Sequence, residues 1–259
     1  PFGCTYCQPT LRRLFGPKLR MRSPENVVAE LAELKARYGV DGVFFHDDTL
    51  TARREWVLEF CDRLERERLS LLWACNTRAN TLDEALMRRM HSAGLRNIHL
   101  GIESGCERIL RDVYRKGIEP EEVRGVVDCA KRVGVTVLGF FMLGAPTETA
   151  SEVERTIRFA RSLRLDEATF AITSPLPGTY LHDRIAGDGY RMSANLADFD
   201  YYSHRAFEDP KLPYAKLKLL HLKALLLFYL HPYRWRYILR HLVSVAGWRK
   251  LIQKVRRYA

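Results

Sequence analysis

Short apolar runs alternate with helical segments along most of this chain, and this alternation limits the folds that it can adopt. Each run is four to nine residues long and is followed by an amphipathic segment of helical length. Such alternation predicts a parallel α/β sheet, because parallel strands need a helix-sized connection between them. The apolar runs are residues 43–46, 71–75, 97–102, 135–143 and 168–173.

The five runs predict five strands, and a sixth is expected upstream because no apolar run precedes the first loop. Six β/α units fit a partial (β/α)6 barrel that lacks its first strand here better than a closed eight-stranded barrel. Because the runs are continuously apolar, we expect both faces of the sheet to be buried. The predicted organisation is α/β, with a partial barrel over residues 1–190 and a helical, basic C-terminal extension over residues 191–259.

Capping residues mark several of the predicted helix ends. Ser23 followed by Pro24 predicts the start of a helix, and Gly39 predicts its end. The segment Thr81-Leu82-Asp83-Glu84 has the spacing of a capping box and predicts another start. The other helices are expected over residues 51–68, 120–133 and 151–163, with a loop over residues 12–18.

Polar, glycine-rich or proline-rich clusters follow the predicted strands at their carboxyl ends. In parallel α/β folds that edge of the sheet is where ligands bind. The clusters contain carboxylates, an arginine, glycines and two cysteines, which are groups suited to a charged cofactor. They are residues 4–7, 47–48, 76–78, 103–105, 144–148 and 175–178.

Cys4 and Cys7 are the two cysteines with the spacing of metal ligands. Thiolates at this spacing suit an iron–sulfur cluster, zinc or copper(I), and the same CxxC pattern also occurs in redox dithiols. The other four of the six cysteines stand singly in apolar segments, which is typical of reduced, buried cysteines. The pair alone therefore leaves a metal ligand set and a dithiol oxidoreductase as open alternatives.

In the context of the strand-end clusters, the first loop resembles the radical S-adenosylmethionine (SAM) superfamily. The hallmark of that family is CxxxCxxC in the loop after the first barrel strand. Cys4 and Cys7 match its last two cysteines, and Tyr6 matches the aromatic residue that usually precedes the last one. By this match the first cysteine would stand one residue before Pro1.

The resemblance extends over about the first 190 residues and is strongest at three strand ends. It is closest to the subgroup that often carries an upstream cobalamin-binding domain and that includes methyltransferases, oxidative cyclases and hopanoid-pathway enzymes. The subgroup adds cobalamin as a cofactor that a missing upstream domain would hold. Thr147 is a departure, because the commoner form of the fifth-strand motif has Gly there. The three segments are residues 101–105, 140–149 and 175–179.

The resemblance implies a [4Fe–4S] cluster with SAM bound to its open iron. An electron from the cluster cleaves a sulfonium C–S bond, and the resulting 5′-deoxyadenosyl radical abstracts hydrogen from the substrate. The cofactors perform this step, while the protein positions them and excludes water. The implied metal ligands are Cys4 and Cys7, and the implied SAM-binding residues are Tyr6, Asp47, Asp48, Arg78, Glu103, Ser104, Gly144 and Pro146.

A chemical reason supports each implied contact with SAM. For some of these residues, a purely structural role is the alternative. Asp47 and Asp48 suit the SAM ammonium group, but they also suit the N-cap of the following helix. Arg78 can pair with the SAM carboxylate, and a surface salt bridge is its alternative. Glu103 can accept hydrogen bonds from both ribose hydroxyls, with help from Ser104. The remaining three residues are expected to border the adenine.

The C-terminal part of the chain differs from the rest in charge. Twelve of the 42 Lys and Arg residues follow Pro210, and no Asp or Glu does, so the net charge of +11 resides in this segment. An apolar stretch over residues 217–230 is too short and too charged to span a bilayer, which needs about 20 apolar residues. Three interpretations stay open: a helical cap packed on the barrel, contact with an anionic membrane surface, and, least favoured, nucleic-acid binding.

Together these features predict a radical SAM enzyme that reductively cleaves SAM to start methyl transfer, cyclisation or related C–H functionalisation. Its expected partners are an apolar, lipid-like small molecule, a reducing electron donor and a membrane that contacts residues 211–259 peripherally. Because single cysteines in apolar segments are typical of reduced cytosolic proteins, we expect a cytoplasmic location, with association at the cytoplasmic face of the membrane. The alternatives are a dithiol oxidoreductase that uses Cys4 and Cys7, and a non-catalytic membrane-docked scaffold with a degenerate site.

Overall fold

A computed structural model describes residues 2–200, 205–235 and 239. Its centre is one sheet of five parallel strands in the order in which they occur along the chain. All five predicted strands are confirmed, with boundaries shifted by one to two residues at most ends. The strands are Gly42–Phe45 (β1), Leu72–Thr77 (β2), Leu95–Glu103 (β3), Thr136–Leu143 (β4) and Glu167–Ile172 (β5).

One helix connects each strand to the next. Right-handed crossovers between strands in sequential order place these helices on one face of the sheet, as in the wall of a barrel. The predicted partial barrel is therefore confirmed. The helices are Thr10–Phe15 (α1), Pro24–Tyr38 (α2), Arg54–Arg66 (α3), Glu84–Ser92 (α4), Pro120–Val133 (α5), Ala150–Ser162 (α6), Tyr180–Gly187 (α7) and Tyr214–Tyr229 (α8).

The predicted ends of α2 are confirmed, whereas those of α3 and α4 are shifted. Ser23 accepts a hydrogen bond from the Asn26 amide, and Gly39 ends α2 in the left-handed conformation. A 3-10 turn over Leu50–Ala52 precedes α3, which begins at Arg54 and not at Thr51. Asp83, not Thr81, caps α4 by accepting from the Leu86 amide. The Thr81 hydroxyl is instead bonded to the Thr51 hydroxyl at 2.6 Å, a long-range contact that the local pattern does not contain.

Three elements were not predicted. The basic segment expected to be a loop forms α1, and α7 follows the proline-rich cluster after β5. A π-helical turn over Ile109–Val113 follows β3. All three lie close in sequence or in space to the cysteine loop, so the surroundings of that loop are more ordered than its sequence indicates.

Only one face of the sheet is fully buried, which corrects the prediction of two buried faces. Along β3, Ile98, Leu100 and Ile102 are buried under the helices, while His99 and Gly101 are partly exposed. The same alternation runs along β2 and β4. The reason is topological: since the helices that connect the strands lie on one side, the other side forms the inner wall of the partial barrel. That wall can hold a ligand.

The C-terminal segment packs onto the barrel through α8. Leu217, Leu220, Ala224 and Phe228 are buried against α6 and β5 and belong to the main core. For α8, the helical-cap interpretation is confirmed. Within the described part of the chain, no helix combines the length and the apolar character needed to cross a membrane. After residue 235, the predicted helical extension lies outside the described residues, apart from residue 239.

Candidate active site

The cysteine loop is fixed to the barrel through Thr5. Its amide donates to the Tyr114 carbonyl at 2.9 Å, and its hydroxyl donates to the Val113 carbonyl at 2.7 Å. Its carbonyl accepts from the Leu181 amide at 2.8 Å, at the start of α7. The loop is thus held between the end of the π-helical turn and α7. The two thiols are anchored at the carboxyl edge of the sheet, as predicted.

The two thiols differ in burial and in proton affinity. Cys4 is buried and Cys7 is exposed. A hydrogen bond from Cys7 lowers the pKa of Cys4 to about 5, against the opposing effect of burial, and Arg78 adds to the lowering. The same hydrogen bond raises the pKa of Cys7, because removing its proton would place two thiolates side by side. One thiolate is therefore present at neutral pH.

A thiolate beside cationic groups is a suitable ligand for a soft metal centre. In the described residues, however, no group of three or more His, Cys, Asp or Glu side chains is placed to hold a metal ion. Cys4 and Cys7 thus fit part of a ligand set.

Arg78 lies beside Cys4 and is not the surface salt bridge that was its alternative. Its side chain is buried, and Nη1 donates to the Cys4 sulfur at 3.3 Å. Nη2 donates to the carbonyl of Lys116, and the guanidinium lies 4.0 Å from the centre of the Phe2 ring. No described carboxylate pairs with Arg78. Its positive charge faces the cysteine ligand and is available to an anionic partner.

Glu103 is the centre of a second buried cluster. Its Oε1 accepts from Lys116 Nζ at 2.7 Å and from the Tyr6 hydroxyl at 3.2 Å, and Lys116 also donates to the Tyr6 oxygen at 3.0 Å. Burial, and then the Glu103 charge, raise the pKa of Tyr6 well above its usual value. Glu103 adopts a φ of 67°, a left-handed conformation that side-chain-bearing residues rarely adopt. Such strain is typical of functional sites.

Sequence reasoning missed Lys116. It lies in an irregular segment after the π-helical turn, and its only local signal is a Lys before a Gly. Its side chain is 5% exposed, although lysines are almost never fully buried unless they are paired. The sequence does not show that Glu103 is this partner, because the two residues lie on opposite sides of the π-helical turn.

A cavity of about 220 Å³ opens beside the Glu103 cluster on the inner face of β3, β4 and β5. The Ser174 hydroxyl is buried at its wall, and no described residue hydrogen-bonds to it. A buried hydroxyl without a protein partner indicates that a ligand or water satisfies it. The cavity is lined by Tyr6, Glu103, Phe140, Phe141, Met142, Thr169, Ala171 and Ser174.

The loop after β4 closes on itself and does not line the cavity. Glu148 Oε2 accepts from the amides of Gly144 at 2.6 Å and Ala145 at 2.9 Å, and burial raises the pKa of Glu148 to about 8. Gly144 has a φ of 78°, and a Cβ there would lie 2.5 Å from Leu217 on α8. Neither Gly144 nor Pro146 is among the residues around the cavity.

Asp47, Asp48 and Ser104 are also placed apart from the Glu103 cluster. Both aspartates are exposed, and no described residue donates a hydrogen bond to either carboxylate. They do not cap a helix either, so that alternative was wrong. Ser104 is buried, and its hydroxyl is bonded to Thr156 at 2.9 Å, which fixes the β3 end to α6. The structure brings together Cys4, Tyr6, Cys7, Arg78, Glu103 and Lys116.

Comparison with known proteins agrees with this geometry. The family model described as the radical SAM superfamily matches residues 1–160. An uncharacterised methyltransferase of Pyrococcus horikoshii is 36% identical over 195 residues, covering 75% of this chain and 42% of the relative. The anaerobic magnesium-protoporphyrin IX monomethyl ester cyclase of Rubrivivax gelatinosus is 30% identical over 205 residues, covering 78% and 35%.

A solved structure shares the fold. The radical SAM methyltransferase TsrM of Kitasatospora setae, whose structure contains cobalamin and a [4Fe–4S] cluster, superposes with a TM-score of 0.71 at 15% identity. The match covers 86% of this chain and 50% of TsrM. The present chain thus spans half or less of the length of each of these three proteins.

Proposed function

Because this chain belongs to the radical SAM superfamily, whose members use a [4Fe–4S] cluster and SAM, we propose that the protein reductively cleaves SAM to start radical chemistry. The observation that carries the proposal is the convergence of two buried clusters at one sheet edge. One joins Cys4 to Arg78, and the other joins Glu103 to Lys116 and Tyr6 beside a cavity.

The chemistry of each residue indicates its proposed role in binding the cluster or SAM. Cys4 and Cys7 would hold two irons of the cluster, which when bound supplies the electron that cleaves SAM. Arg78, beside Cys4, offsets negative charge at the ligands and offers a bidentate match to the SAM carboxylate. Glu103 is available to the ribose hydroxyls from the cavity wall.

Four of the implied contacts rest on position alone. Asp47 and Asp48 remain proposed for the SAM ammonium group because they follow β1 at the carboxyl edge of the sheet. Gly144 and Pro146 remain proposed at the adenine because they follow β4. None of the four belongs to the two buried clusters, so we place them second to those residues.

The reaction type is proposed to be methyl transfer, cyclisation or a related functionalisation of a C–H bond, with cobalamin held by a domain outside this chain. The names of the relatives, a methyltransferase and a cyclase, support these types. The presence of cobalamin in TsrM supports the additional cofactor. A reducing electron donor is a required partner, because cleavage of SAM consumes an electron.

The substrate is proposed to be apolar, and residues 211–259 are proposed to contact a membrane peripherally. Four of the eight residues around the cavity are Phe140, Phe141, Met142 and Ala171, which suit an apolar molecule. On α8, the side opposite the core carries a second apolar stripe at helical spacing. Its members are Leu219, Leu222, Leu226 and Leu230, which are 49–69% exposed.

The positive charge around this apolar stripe of α8 favours an anionic lipid surface as its binding partner. Exposed Lys216, Lys218 and Lys223 flank it, and no acidic residue follows Pro210 in the sequence. Lys223 is paired with Glu154 of α6 at 2.8 Å, so it contributes less than the other two. Basic residues near an anionic membrane each contribute about 1 kcal/mol. We propose a cytoplasmic location at that surface.

Anaerobic reconstitution of the full-length protein tests the enzymatic proposal. Iron and sulfide should give a brown [4Fe–4S] species, and a strong reductant should then convert SAM to 5′-deoxyadenosine. A colourless product, or a cluster-loaded protein that leaves SAM intact, would contradict it. The low pKa of Cys4 also favours a dithiol oxidoreductase as a second candidate. A reversible Cys4–Cys7 disulfide in a redox buffer, without cluster binding, would support that candidate instead.

Co-sedimentation with phosphatidylglycerol and phosphatidylcholine vesicles tests the membrane contact. The protein should bind the anionic vesicles and lose binding as salt is raised. Leu219→Ser combined with Leu226→Ser should weaken the binding. Tyr38→Ser, which changes an exposed residue at the end of α2, is the matched control and should not. Absence of binding, or equal binding to both vesicles, would exclude an electrostatic membrane contact.

A further inference from the structure

Lys116 connects the two buried clusters of the site. Its Nζ donates to Glu103 Oε1 and to the Tyr6 hydroxyl, and its main-chain carbonyl accepts from Arg78. Through one residue, the ends of β2 and β3 and the cysteine loop are held in a fixed relation.

The backbone of β3 is shaped to accommodate the ion pair. Gly101 lies on the same inner face as Glu103, two residues before it. A Cβ at Gly101 would lie 2.8 Å from Glu103 Oε1 and 2.9 Å from Lys116 Nζ, so any side chain there would require the ion pair to shift. The glycine that opens the strand-end motif therefore makes room for the pair.

Stability alone does not account for the pair. Lys116 is 5% exposed and Glu103 is 7% exposed, so both charges have lost most of their hydration. Attraction within a buried ion pair offsets that loss only in part, and apolar replacements of such pairs are often as stable. A paired charge at the wall of a cavity therefore calls for a functional reason.

The hydrogen-bond capacity of the Glu103 carboxylate provides a functional reason for the ion pair. An ionised carboxylate offers about four acceptor positions, two on each oxygen. Lys116 and Tyr6 fill both positions on Oε1. Oε2 receives no hydrogen bond from the described residues, and Glu103 lines the cavity. The two remaining positions match the two hydroxyls of one ribose.

We propose that Lys116 is a positioning residue, which holds Oε1 of Glu103 and thereby presents Oε2 to the 2′ and 3′ hydroxyls of SAM. The inference rests on the proposed function, because it assumes that SAM occupies the cavity. It predicts a loss that is specific for the ribose hydroxyls, since Lys116 acts through Glu103 and contacts neither the methionine nor the adenine part.

Equilibrium binding of SAM and of 2′-deoxy-SAM to the reconstituted full-length protein tests the inference. Lys116→Met should weaken SAM binding about tenfold, because Glu103 loses the hydrogen-bond partner that orients its carboxylate. The same substitution should weaken 2′-deoxy-SAM binding by less, about threefold, because only the 3′ hydroxyl of that analogue remains to contact Oε2. Lys116→Arg, which keeps the charge, should restore most of the affinity for SAM. Lys116→Gln serves as a second variant if the Met variant does not fold.

The outcomes separate this inference from the proposed function. If the wild-type protein binds no SAM, both are overturned. If the wild type binds SAM and the Lys116 variants bind it equally well, the inference alone is overturned. Equal losses for SAM and 2′-deoxy-SAM also overturn it, because they would mean that Lys116 only stabilises the fold.

Discussion

Two regions of this molecule bury a cation, and they do so in different ways. At the strand edge, the Lys116 ammonium is held by the side chains of Glu103 and Tyr6 beside a cavity. At the joint of α6 and α8, the Arg234 guanidinium is 1% exposed and donates only to main-chain carbonyls. These carbonyls belong to Ala160, Arg161, Leu163 and Phe228, at distances of 2.8–3.4 Å.

The difference distinguishes a structural cation from a functional one. The Ala160 and Arg161 carbonyls in the last turn of α6 lack helical partners, so Arg234 completes the end of this helix. Its guanidinium also packs on the Phe228 ring of α8, 3.6 Å from the ring centre. Its Nε lacks a partner among the described residues, but the remaining donors face fixed carbonyls. The partners of Lys116 are side chains, which can also engage a ligand.

The strand edge also contains the more strained backbone. Glu103 and Thr147 both have φ values near 66° although neither is glycine. Ser174 Oγ and Glu148 Oε1 are buried there without a partner among the described residues. Backbone strain and unsatisfied buried groups are tolerated where function requires them. The comparison therefore predicts that changes at the strand edge alter ligand binding, while changes at the helix joint alter stability.

The largest expected effect is that of Cys4→Ser. Because Ser is a poor ligand for iron, the full-length variant should lose the [4Fe–4S] absorbance and all SAM cleavage. Its melting temperature without cofactors should stay close to that of the wild type, since Thr5 and not Cys4 fixes the loop. Ultraviolet–visible spectra and a thermal melt check both. A variant that keeps its cluster would contradict the role of Cys4 as a cluster ligand, and with it the functional role of the strand edge.

Arg234→Met should produce the largest loss of stability. It removes four hydrogen bonds to buried main-chain carbonyls, which should lower the free energy of unfolding by about 2–4 kcal/mol. SAM affinity of the remaining folded protein should not change. The matched control is Arg158→Met on the exposed side of α6, with an effect below about 0.5 kcal/mol. Urea unfolding measures both, and equal losses would contradict the structural role of Arg234.

The substitution Glu148→Gln tests the buried carboxyl at the strand edge, through the pH dependence of the free energy of unfolding. Burial raises the folded-state pKa of Glu148 to about 8, so the unfolded chain releases this proton at lower pH than the folded protein does. The contribution of Glu148 to stability is therefore present below about pH 4 and is lost as pH rises to about 8, with a slope of up to about 1.4 kcal/mol per pH unit.

The Gln variant cannot ionise, so its stability relative to the wild type should increase between about pH 5 and about pH 8. Urea unfolding at several pH values measures the difference. A difference that does not depend on pH would show that the Gly144 and Ala145 amides, with the nearby Arg205, keep Glu148 charged in the folded protein.

Substitutions of Thr147 should have the smallest effect on stability, and they test the backbone strain separately from the side-chain contact. Thr147→Ala and Thr147→Gly both remove the hydroxyl that accepts from Arg108 at 3.2 Å. Only glycine adopts a φ of 66° without strain, so the Gly variant should be more stable than the Ala variant by about 1 kcal/mol. Thermal melts of the two variants give this difference. Equal stability would mean that the loop relaxes and that the strain is not stored there.

The sequence predicted those parts of the fold that local patterns encode. Ser23 and Gly39 bound α2 as expected, and α5 has the predicted ends at Pro120 and Val133. The placement of Cys4 and Glu103 at one edge followed from strand ends in a parallel sheet. What the sequence did not reveal depends on contacts between distant residues, namely the burial of Lys116 and Arg234 and the anchoring of Thr5.

Some predicted site residues also turned out to have other partners. The resemblance implied that Ser104 helps Glu103 to bind the ribose, whereas its hydroxyl is bonded to Thr156 on α6 in the structure. Position after a strand brings a residue to the right edge of the sheet, whereas the direction of its side chain depends on the turn that follows. For Glu103 that turn is left-handed, and for Gly144 it closes on Glu148.

The dissociation constant of SAM for Glu103→Ala in the reconstituted full-length protein tests the central claim most directly. The account predicts a weakening of about tenfold relative to the wild type, because charge-assisted hydrogen bonds to the ligand are lost. The cluster spectrum should not change. Unchanged SAM affinity in a folded, cluster-loaded Glu103→Ala variant would contradict the account, because it would remove Glu103 and its buried cluster from the site.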